Sequence, residues 1–318
     1  MFDHILVPLD GSSLAECVLP HAAAVAQAFG ARVTLVRVLE RTRTAGRTGP
    51  VDLLDWQISK REAGAYLDGL TNRLRDAGLR TESAVLEGPA AERIVEFVGG
   101  HDVNLIVLSS HGRSGLSIWN VSSVVQKIIL RAYVPTMIVR AYQPVTLDLT
   151  GLRYRRLLVP LDCSQRAECV LPSATNLARF HESQLLLVHV VSRPEMPRRA
   201  PPTQEDVELA NCITERNRVE AARYLEQLQS QLSLDVQTRL LVSDNAVATL
   251  HDLVDQENMD LVVLSGHGHS GGTKWPYGSM AVNFIAYGTT PLLIVQDLSP
   301  DEVARTQAEV AAREYKGH

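Results

Sequence analysis

The chain has 318 residues, of which 45% are hydrophobic and 21% are charged, with a formal net charge of −5. This length suits two globular domains, each large enough to bury its own core. The slightly acidic balance excludes a general electrostatic attraction to nucleic acid or to an anionic membrane, and no apolar run reaches membrane-spanning length. A strand begins within a few residues of Met1, which leaves no room for a signal peptide. The four cysteines show no metal-ligand spacing, so we expect a reducing cytoplasm.

The first half of the chain alternates short apolar runs with segments of helical spacing. Ser12 or Ser13 is expected to cap the first helix, and Gly30 to end it. The predicted strands are Ile5–Leu9, Val33–Val38, Thr81–Leu86, Asn104–Leu108 and Pro135–Arg140. Four helices are predicted. The first ends near Phe29, the second runs from about Leu53 to Asp76, the third begins at Pro89, and the fourth runs from Ser122 to about Arg131. Strands alternating with helices indicate parallel pairing, and runs apolar on both faces indicate a sheet covered on both sides.

The second half repeats this order of elements. The motif Leu-Val-Pro-Leu-Asp at residues 6–10 returns at residues 158–162, and both halves close on a strand introduced by proline. A repeat of this length indicates a tandem duplication. We therefore predict two α/β domains, at residues 1–150 and 151–298. Residues 299–318 are expected to form a helical tail that docks on the body or on a neighbouring chain.

A loop rich in glycine and serine follows the fourth strand of each half. Its lead-in is Val-Leu-Ser-x-His-Gly at residues 107–112 and again at 263–268, and the next helix opens at Ser122-Ser123 or at Gly278-Ser279. Glycine lets backbone N–H groups approach an anion, and a helix N-terminus adds unpaired donors and a favourable dipole. The arrangement is typical of a phosphate cradle; the alternative is an ordinary surface connection. Ser279 is expected to cap its helix or to turn its hydroxyl towards a phosphate oxygen.

Polar groups also follow the first strand of each half, at the edge where a doubly wound sheet binds its ligands. Asp10 and Asp162 stand directly after these strands, and Val38 and Val190 lie near the ends of the second strands. An aspartate here could hydrogen-bond a ribose hydroxyl or a base edge; its alternative role is to cap the turn that follows. Backbone groups near the valines could hydrogen-bond a purine in an apolar slot.

Together these motifs resemble the universal stress protein family in its tandem, two-domain form. Nucleotide-binding members of that family carry G-x-x-G, nine residues, and then G-S or G-T. The resemblance implies two five-stranded parallel sheets of strand order 3-2-1-4-5, with ATP, alone or with Mg²⁺, or another adenine nucleotide as the ligand. The nucleotide-binding positions that it implies are, in the second half, Pro160, Asp162, Val190, Ser265, Gly268, Gly278 and Ser279, and, in the first half, Pro8, Asp10, Val38, Ser109, Gly112, Ser122 and Ser123.

The two halves depart from the family pattern to different extents. Ser109 and Ser265 replace the first glycine, which is tolerable where φ is negative. Ser122 stands where the second half has Gly278. An added Cβ at this position is expected to hinder the approach of phosphate, or to resist a positive φ. The second half is therefore expected to bind nucleotide more tightly than the first.

Signatures of catalysis are few. The chain has no G-x-x-x-x-G-K-[ST] run, and no paired carboxylates converge on the loops. The loop histidines His111 and His267 have no orienting partner evident in the sequence, and each is expected to brace its turn rather than act as a general base. The sequence therefore predicts a protein that is not an enzyme, with slow hydrolysis of adenine nucleotide left open.

Three hypotheses follow for function. The first is a cytoplasmic stress-response protein in which the nucleotide is a structural or regulatory ligand. The second is an interaction protein of the same fold that binds no nucleotide, and the third is an adenylating or nucleotide-hydrolysing enzyme. The loops favour the first. The terminal strands near residues 135–140 and 291–296 would each leave a sheet edge, so we expect the halves to form an intramolecular pseudo-dimer. A homodimer of whole chains is a further alternative.

Overall fold

The computed structural model describes residues 1–40, 53–112, 121–141, 148–194, 201–269, 276–299 and 301–305. Most of the predicted tail at residues 299–318 therefore lies outside the described residues. In the first half, the elements in chain order are β1 (His4–Pro8), α1 (Ser13–Glu16), α2 (Val18–Phe29), β2 (Arg32–Leu39), α3 (Leu53–Asp76), β3 (Thr81–Glu87), α4 (Ala90–Gly100), β4 (Leu105–Ser109), α5 (Ser123–Ala132) and β5 (Thr136–Val139).

The second half follows the same sequence of elements. They are β6 (Arg156–Pro160), a single 3₁₀ turn (Ala167–Val170), α6 (Leu171–His181), β7 (Gln184–Val191), α7 (Gln204–Gln231), β8 (Val236–Val242), α8 (Ala246–Gln256), β9 (Leu261–Ser265), α9 (Ser279–Tyr287) and β10 (Leu292–Val295). In the described part of the chain, no helix is both long enough and apolar enough to cross a bilayer.

The first helix of each half is broken where the sequence predicts one continuous helix. Ser12 caps α1 as predicted, accepting from the backbone N–H of Ala15 at 3.2 Å, but α2 starts again at Val18. Pro20 lies in the first turn of α2, as Pro172 does in α6. Proline has no N–H to donate and is tolerated in the first turn of a helix but not in its interior. A new helix therefore begins just ahead of each proline.

The ten described strands form one sheet of order β3-β2-β1-β4-β5-β10-β9-β6-β7-β8. Within each half the order is the predicted 3-2-1-4-5, and all pairs are parallel. Alternate side chains of a strand point to opposite faces. In β1, Ile5 and Val7 pack with α2 and α3, whereas Leu6 packs in the core that includes residues of α4 and α5. The chain thus builds the three-layer α/β architecture that its patterning predicts.

The two halves join through their last strands. β5 and β10 pair antiparallel, with Met137 opposite Leu293 at the centre of the register. Antiparallel pairing relates the halves by an approximate twofold axis, so the carboxyl ends of their parallel strands face opposite directions. The edge that each terminal strand would expose is therefore covered by the other, as the sequence predicts.

Arg140 strengthens this junction. Its side chain is fully buried, and its guanidinium donates to the carbonyl oxygens of Phe284 at 2.7 Å and Ile285 at 3.2 Å, in the last turn of α9. The Ile285 carbonyl is among those that a helix C-terminus leaves without an intrahelical partner, whereas the Phe284 carbonyl also accepts from the Gly288 N–H at 3.0 Å. A cation there also opposes the negative end of the helix dipole. A residue of the first half thus caps a helix of the second.

We expect Arg140→Met to lower the free energy of unfolding by about 2 kcal/mol, because the substitution leaves buried helix carbonyls without their charged donor. Urea denaturation measures the loss. Arg223→Met is the matched control, since Arg223 is exposed and makes only a surface pair with Glu220. Equal effects of the two substitutions would contradict a capping role for Arg140.

A buried histidine cluster lies between α2 and α6, also at the contact of the two halves. His21 Nδ1 is 2.8 Å from the Tyr154 hydroxyl, and the His181 ring packs edge-on against Tyr154 with centroids 5.0 Å apart. Neither ring nitrogen of His181 has a hydrogen-bond partner among the described residues. Burial lowers the pKa of His21 to about 4; burial and then the charge of Arg153 lower the pKa of His181 to about 4.

This cluster predicts a loss of stability in mild acid. Unfolded histidine titrates near pH 6.5, so the unfolded chain binds these protons first as the pH falls. The stabilisation is complete above about pH 6.5 and is lost progressively towards pH 4. His181→Phe should flatten this dependence and raise stability at pH 7 by about 1 kcal/mol, because a buried group without partners is removed. Urea titrations at several pH values, with exposed His101→Phe as control, test this; an unchanged slope would contradict it.

Candidate functional site

A cavity of about 830 Å³ opens at the carboxyl ends of the strands in the first half. Residues from the ends of β1, β2 and β4 line it, together with residues of α3, α4 and α5. The seven positions predicted for the first half all lie on its wall: Pro8, Asp10, Val38, Ser109, Gly112, Ser122 and Ser123. The structure therefore brings together residues that are more than a hundred positions apart in the sequence.

The N-terminus of α5 forms one end of this cavity. Ser122 caps the helix, its hydroxyl accepting from the N–H of Val125 at 3.3 Å, and its own N–H donates to the Ser110 carbonyl at 2.8 Å. Exposed Ser123 occupies the first helical position. The first N–H groups of a helix lack intrahelical acceptors and carry its positive dipole end. This end of the cavity therefore suits an anion.

Asp10 joins the turn after β1 to the loop after β4. Its Oδ1 accepts from the N–H of Ser12 at 2.9 Å and from the Ser12 hydroxyl at 2.6 Å, which is the turn-capping role considered from the sequence. Its Oδ2 lies against Gly112, where a Cβ would come within 2.1 Å of that oxygen. Gly112 is thus required by close approach of a carboxylate rather than by its backbone angle.

We call this link from the aspartate to both the turn and the loop the lock. The second half repeats the lock with equivalent residues. Asp162 Oδ1 accepts from the Ser164 N–H and hydroxyl, and Oδ2 accepts from the backbone N–H of His269. A Cβ on Gly268 would again meet Asp162 Oδ2 at 2.1 Å. The other positions predicted for this half occupy equivalent places: Pro160 at the end of β6, Val190 near the end of β7, Ser265 at the end of β9, and Gly278-Ser279 at the start of α9.

The structure at the N-termini of α5 and α9 corrects two expectations. Gly278, not Ser279, is the N-cap of α9, and no side chain of the described residues caps this helix. Gly278 has φ −74° and ψ 172°, almost the same as the −70° and 160° of Ser122. Glycine is therefore not needed at this position for a positive φ, and that reason for a weaker first site was wrong. The other reason, contact between the Ser122 Cβ and a phosphate, stays a prediction. Ser109 and Ser265 end their strands without positive φ, as expected.

The second loop has an orienting partner that the sequence did not reveal. Asp297 Oδ1 lies 2.9 Å from both the backbone N and the Nδ1 of His267. Arg166 pairs with Asp297 at 3.1 Å and with Glu302 at 2.6 Å. The Ser299 N–H and then Arg166 lower the pKa of Glu302 to about 2. The His267 side chain is completely buried, so the network braces the loop and ties it to the start of the tail.

The start of the loop after β4, in the first half, is held by different hydrogen bonds. Ala141 stands where the second half has Asp297, and its N–H donates to the Ser110 hydroxyl at 3.1 Å. The same hydroxyl lies 3.1 Å from Nδ1 of His111, which is also buried. Each loop histidine therefore supports its turn through a hydrogen bond, but the two halves use unrelated partners.

The sequence did not predict that α3 contributes to the first cavity. Four lining residues lie on its first turns: Asp55, Trp56, Ser59 and Glu62. This helix carries no motif of its own. The available signal was Trp56, a large aromatic side chain near the start of a helical segment. An aromatic residue there is more often explained by packing, so the sequence did not single it out.

The family model for the universal stress protein family matches residues 1–140 and 153–296. The chain belongs to this family. A universal stress protein of Methanocaldococcus jannaschii is 28% identical over 142 residues, which cover 44% of this chain and 83% of that protein.

Solved structures support the fold over almost the whole chain. A universal stress protein from Archaeoglobus fulgidus aligns with a TM-score of 0.66 at 16% identity, covering 94% of this chain and 100% of that one. A protein of Pseudomonas aeruginosa described as functionally unknown aligns with a TM-score of 0.68 at 15% identity, covering 98% of each chain. At these identities the likeness concerns the fold alone.

The contact between Asp162 and Gly268 predicts that two loop glycines respond differently to the same substitution. Gly268→Ser should cost about 2 kcal/mol of stability, because its Cβ would collide with a carboxylate that three hydrogen bonds hold in place. Gly278→Ser should change stability by less than about 0.5 kcal/mol, since its Cβ would meet the nearest atom at 3.5 Å and serine is a good N-cap. Thermal unfolding measures both; equal losses would contradict the proposed lock.

Proposed function

We propose that each half of this universal stress protein binds an adenine nucleotide, with ATP as the leading candidate, as a structural or regulatory ligand in the cytoplasm. The domains would be residues 1–150 and 151–298. The observation that carries the proposal is the single cavity on which all seven predicted positions of the first half meet. One end of this cavity offers hydrogen-bond donors to phosphate, and the other offers an apolar surface to a base.

The phosphate end is the helix N-terminus of α5. Backbone N–H groups there, and the hydroxyls of Ser122 and Ser123, can donate to phosphate oxygens. The equivalent end in the second half is the start of α9, with Ser279 exposed at the first helical position. Recognition through backbone donors explains why no P-loop lysine is needed.

The base end is the apolar slot beside β2. Val36, Val38 and Ile94 line it, and together they offer a hydrophobic surface to a flat aromatic ligand. Asp10 would lie between the two ends, where its carboxylate is already committed to the turn and the loop. A ribose hydroxyl would therefore meet a carboxylate that is fixed in position before the ligand arrives.

Magnesium would enter this site on the nucleotide itself. Among the described residues, no group of three His, Cys, Asp or Glu side chains could hold a metal ion. Mg²⁺ is commonly held by substrate phosphates and water with one or two carboxylates. Bound ATP would thus bring the ion, and Asp10 or Asp162 is the nearest carboxylate to offer it.

A ligand role fits the loop histidines better than a catalytic one. His267 is buried and committed to Asp297. His111 lies at the wall of the first cavity, but it is only 2% exposed and its Nδ1 is 3.1 Å from the Ser110 hydroxyl. A general base must reach the proton that it removes. We therefore expect nucleotide to be held without appreciable turnover, and a phosphate-release assay on the loaded protein tests this at the same time as binding.

The test of binding uses charge at the start of each phosphate-facing helix. Ser123→Glu should abolish ATP binding in the first half, because its carboxylate would take the place of the phosphate while favouring the helix dipole. Ser279→Glu should do the same in the second half. We expect each substitution to weaken its own site at least tenfold in calorimetric titrations with ATP, ADP, AMP and cyclic AMP.

Ser123→Gln and Ser279→Gln are the matched controls, since glutamine has the size of glutamate without its charge. These variants lose the serine hydroxyl but gain no charge, so each should bind ATP more tightly than the corresponding glutamate variant. Because each glutamate variant leaves one half intact, the pair also gives the affinity of each site separately. Absence of adenine nucleotide binding in the native chain, or equal binding by all four variants, would overturn the proposal and favour an interaction protein of the same fold.

A further inference from the structure

The outer wall of the first cavity is one face of α3. Asp55, Trp56, Ser59 and Glu62 all line the cavity. Ser59 lies four positions after Asp55 and three after Trp56, and Glu62 lies three after Ser59, so the set runs along one side of the helix. Trp56 is half-buried, whereas the other three are exposed. Residues 54–62 of α3 include no buried side chain, and the first buried residue after them is Ala63. Trp56 thus faces the cavity from a segment that contributes little to the core.

The charges around the cavity give a bound nucleotide a direction. Carboxylates of Asp55 and Glu62 line the side formed by α3, and the Glu40 carboxylate, just after β2, accepts from the Ala90 N–H at 2.6 Å. Arg37 also lines this side, but its guanidinium lies over the Tyr66 ring, 5.3 Å from the centroid. The opposite end has the N-terminal amides of α5. Phosphate is therefore repelled from α3 and attracted to α5, which leaves the base at the α3 side.

We propose that Trp56 stacks on the purine base of the nucleotide bound in the first half, and so selects for an aromatic base. This inference rests on the nucleotide-binding function proposed above. The Trp56 indole presents a flat surface at the base end of the cavity. Stacking on an aromatic side chain depends little on which base is bound, and it is strong enough to change affinity roughly tenfold. Glu62 and Asp55 beside it can accept hydrogen bonds from an exocyclic amino group.

The second half has no equivalent of this side chain. Ala63 and Ala221 are the first buried residues of α3 and α7, and Tyr66-Leu67 corresponds to Tyr224-Leu225. On this alignment the counterpart of Trp56 is Thr214, whose hydroxyl donates to the Ala210 carbonyl of its own helix at 2.8 Å. Base stacking of this kind is therefore confined to the first site.

The experiment compares Trp56→Leu with Trp56→Phe in the full chain, carrying Ser279→Glu so that only the first half binds. We expect Trp56→Leu to weaken ATP binding about tenfold and Trp56→Phe to weaken it less than threefold, because phenylalanine keeps an aromatic face. Inorganic tripolyphosphate, which has no base, should bind both variants equally. Thr214→Ala, the matched position of α7, should leave the ATP affinity of the first half unchanged.

Fluorescence provides a second readout. In a chain whose Trp119 and Trp275 are replaced by phenylalanine, Trp56 is the remaining tryptophan, and ATP should quench its emission whereas tripolyphosphate should not. Unchanged ATP affinity in Trp56→Leu, or an equal loss for tripolyphosphate, would overturn the stacking while leaving nucleotide binding in place, provided that Ser123→Glu still abolishes it. Absence of ATP binding in the unsubstituted chain would overturn both.

Discussion

The antiparallel pairing of β5 with β10 is the contact on which the rest of the molecule depends. A parallel five-stranded sheet must have both faces covered by helices, and its last strand still presents unpaired backbone groups at the edge. Each half supplies the strand that covers the other, so neither edge faces water. Because the pairing is antiparallel, the carboxyl ends of the parallel strands in the two halves point in opposite directions. Arg140 adds a buried link at the same junction by capping α9.

Within each half, the aspartate after the first strand sets the shape of the site. Asp10 and Asp162 each hold the turn that follows them through one oxygen and the glycine loop through the other. The two segments are distant in sequence and meet only because β1 and β4, or β6 and β9, are neighbours in the sheet. This lock orients the loop without any ligand. It also explains why the residue after His111 and His267 must be glycine.

Around this shared lock the two halves have diverged. The turn after the first strand takes a left-handed backbone in both, with glycine at position 11 (φ 83°) but Cys163 (φ 65°) in the second half, a conformation that costs a non-glycine residue on the order of 1 kcal/mol. The loop histidine is braced by Asp297 in one half and by Ser110 in the other. Trp56 of α3 lines the cavity of the first half, and Thr214 occupies the equivalent position in α7. The two candidate sites therefore share a backbone framework but differ in the side chains around it.

The sequence by itself determined the repeat and the α/β layers, because these follow from apolar periodicity and from motifs that recur in the same order. The strand order came from the family that those motifs resemble. Caps such as Ser12 and Gly30 were also readable, since they depend on neighbouring residues. Only the tertiary structure decided which distant groups meet. The pairing of His267 with Asp297, the Arg140 cap on α9 and the place of Trp56 on the cavity wall are set by sheet topology, which one sequence does not record. The backbone angle at Gly278 was misjudged for a related reason. Glycine indicates that a Cβ is absent, but the surrounding chain decides whether that absence serves a positive φ or, as at Gly268, the close approach of another group.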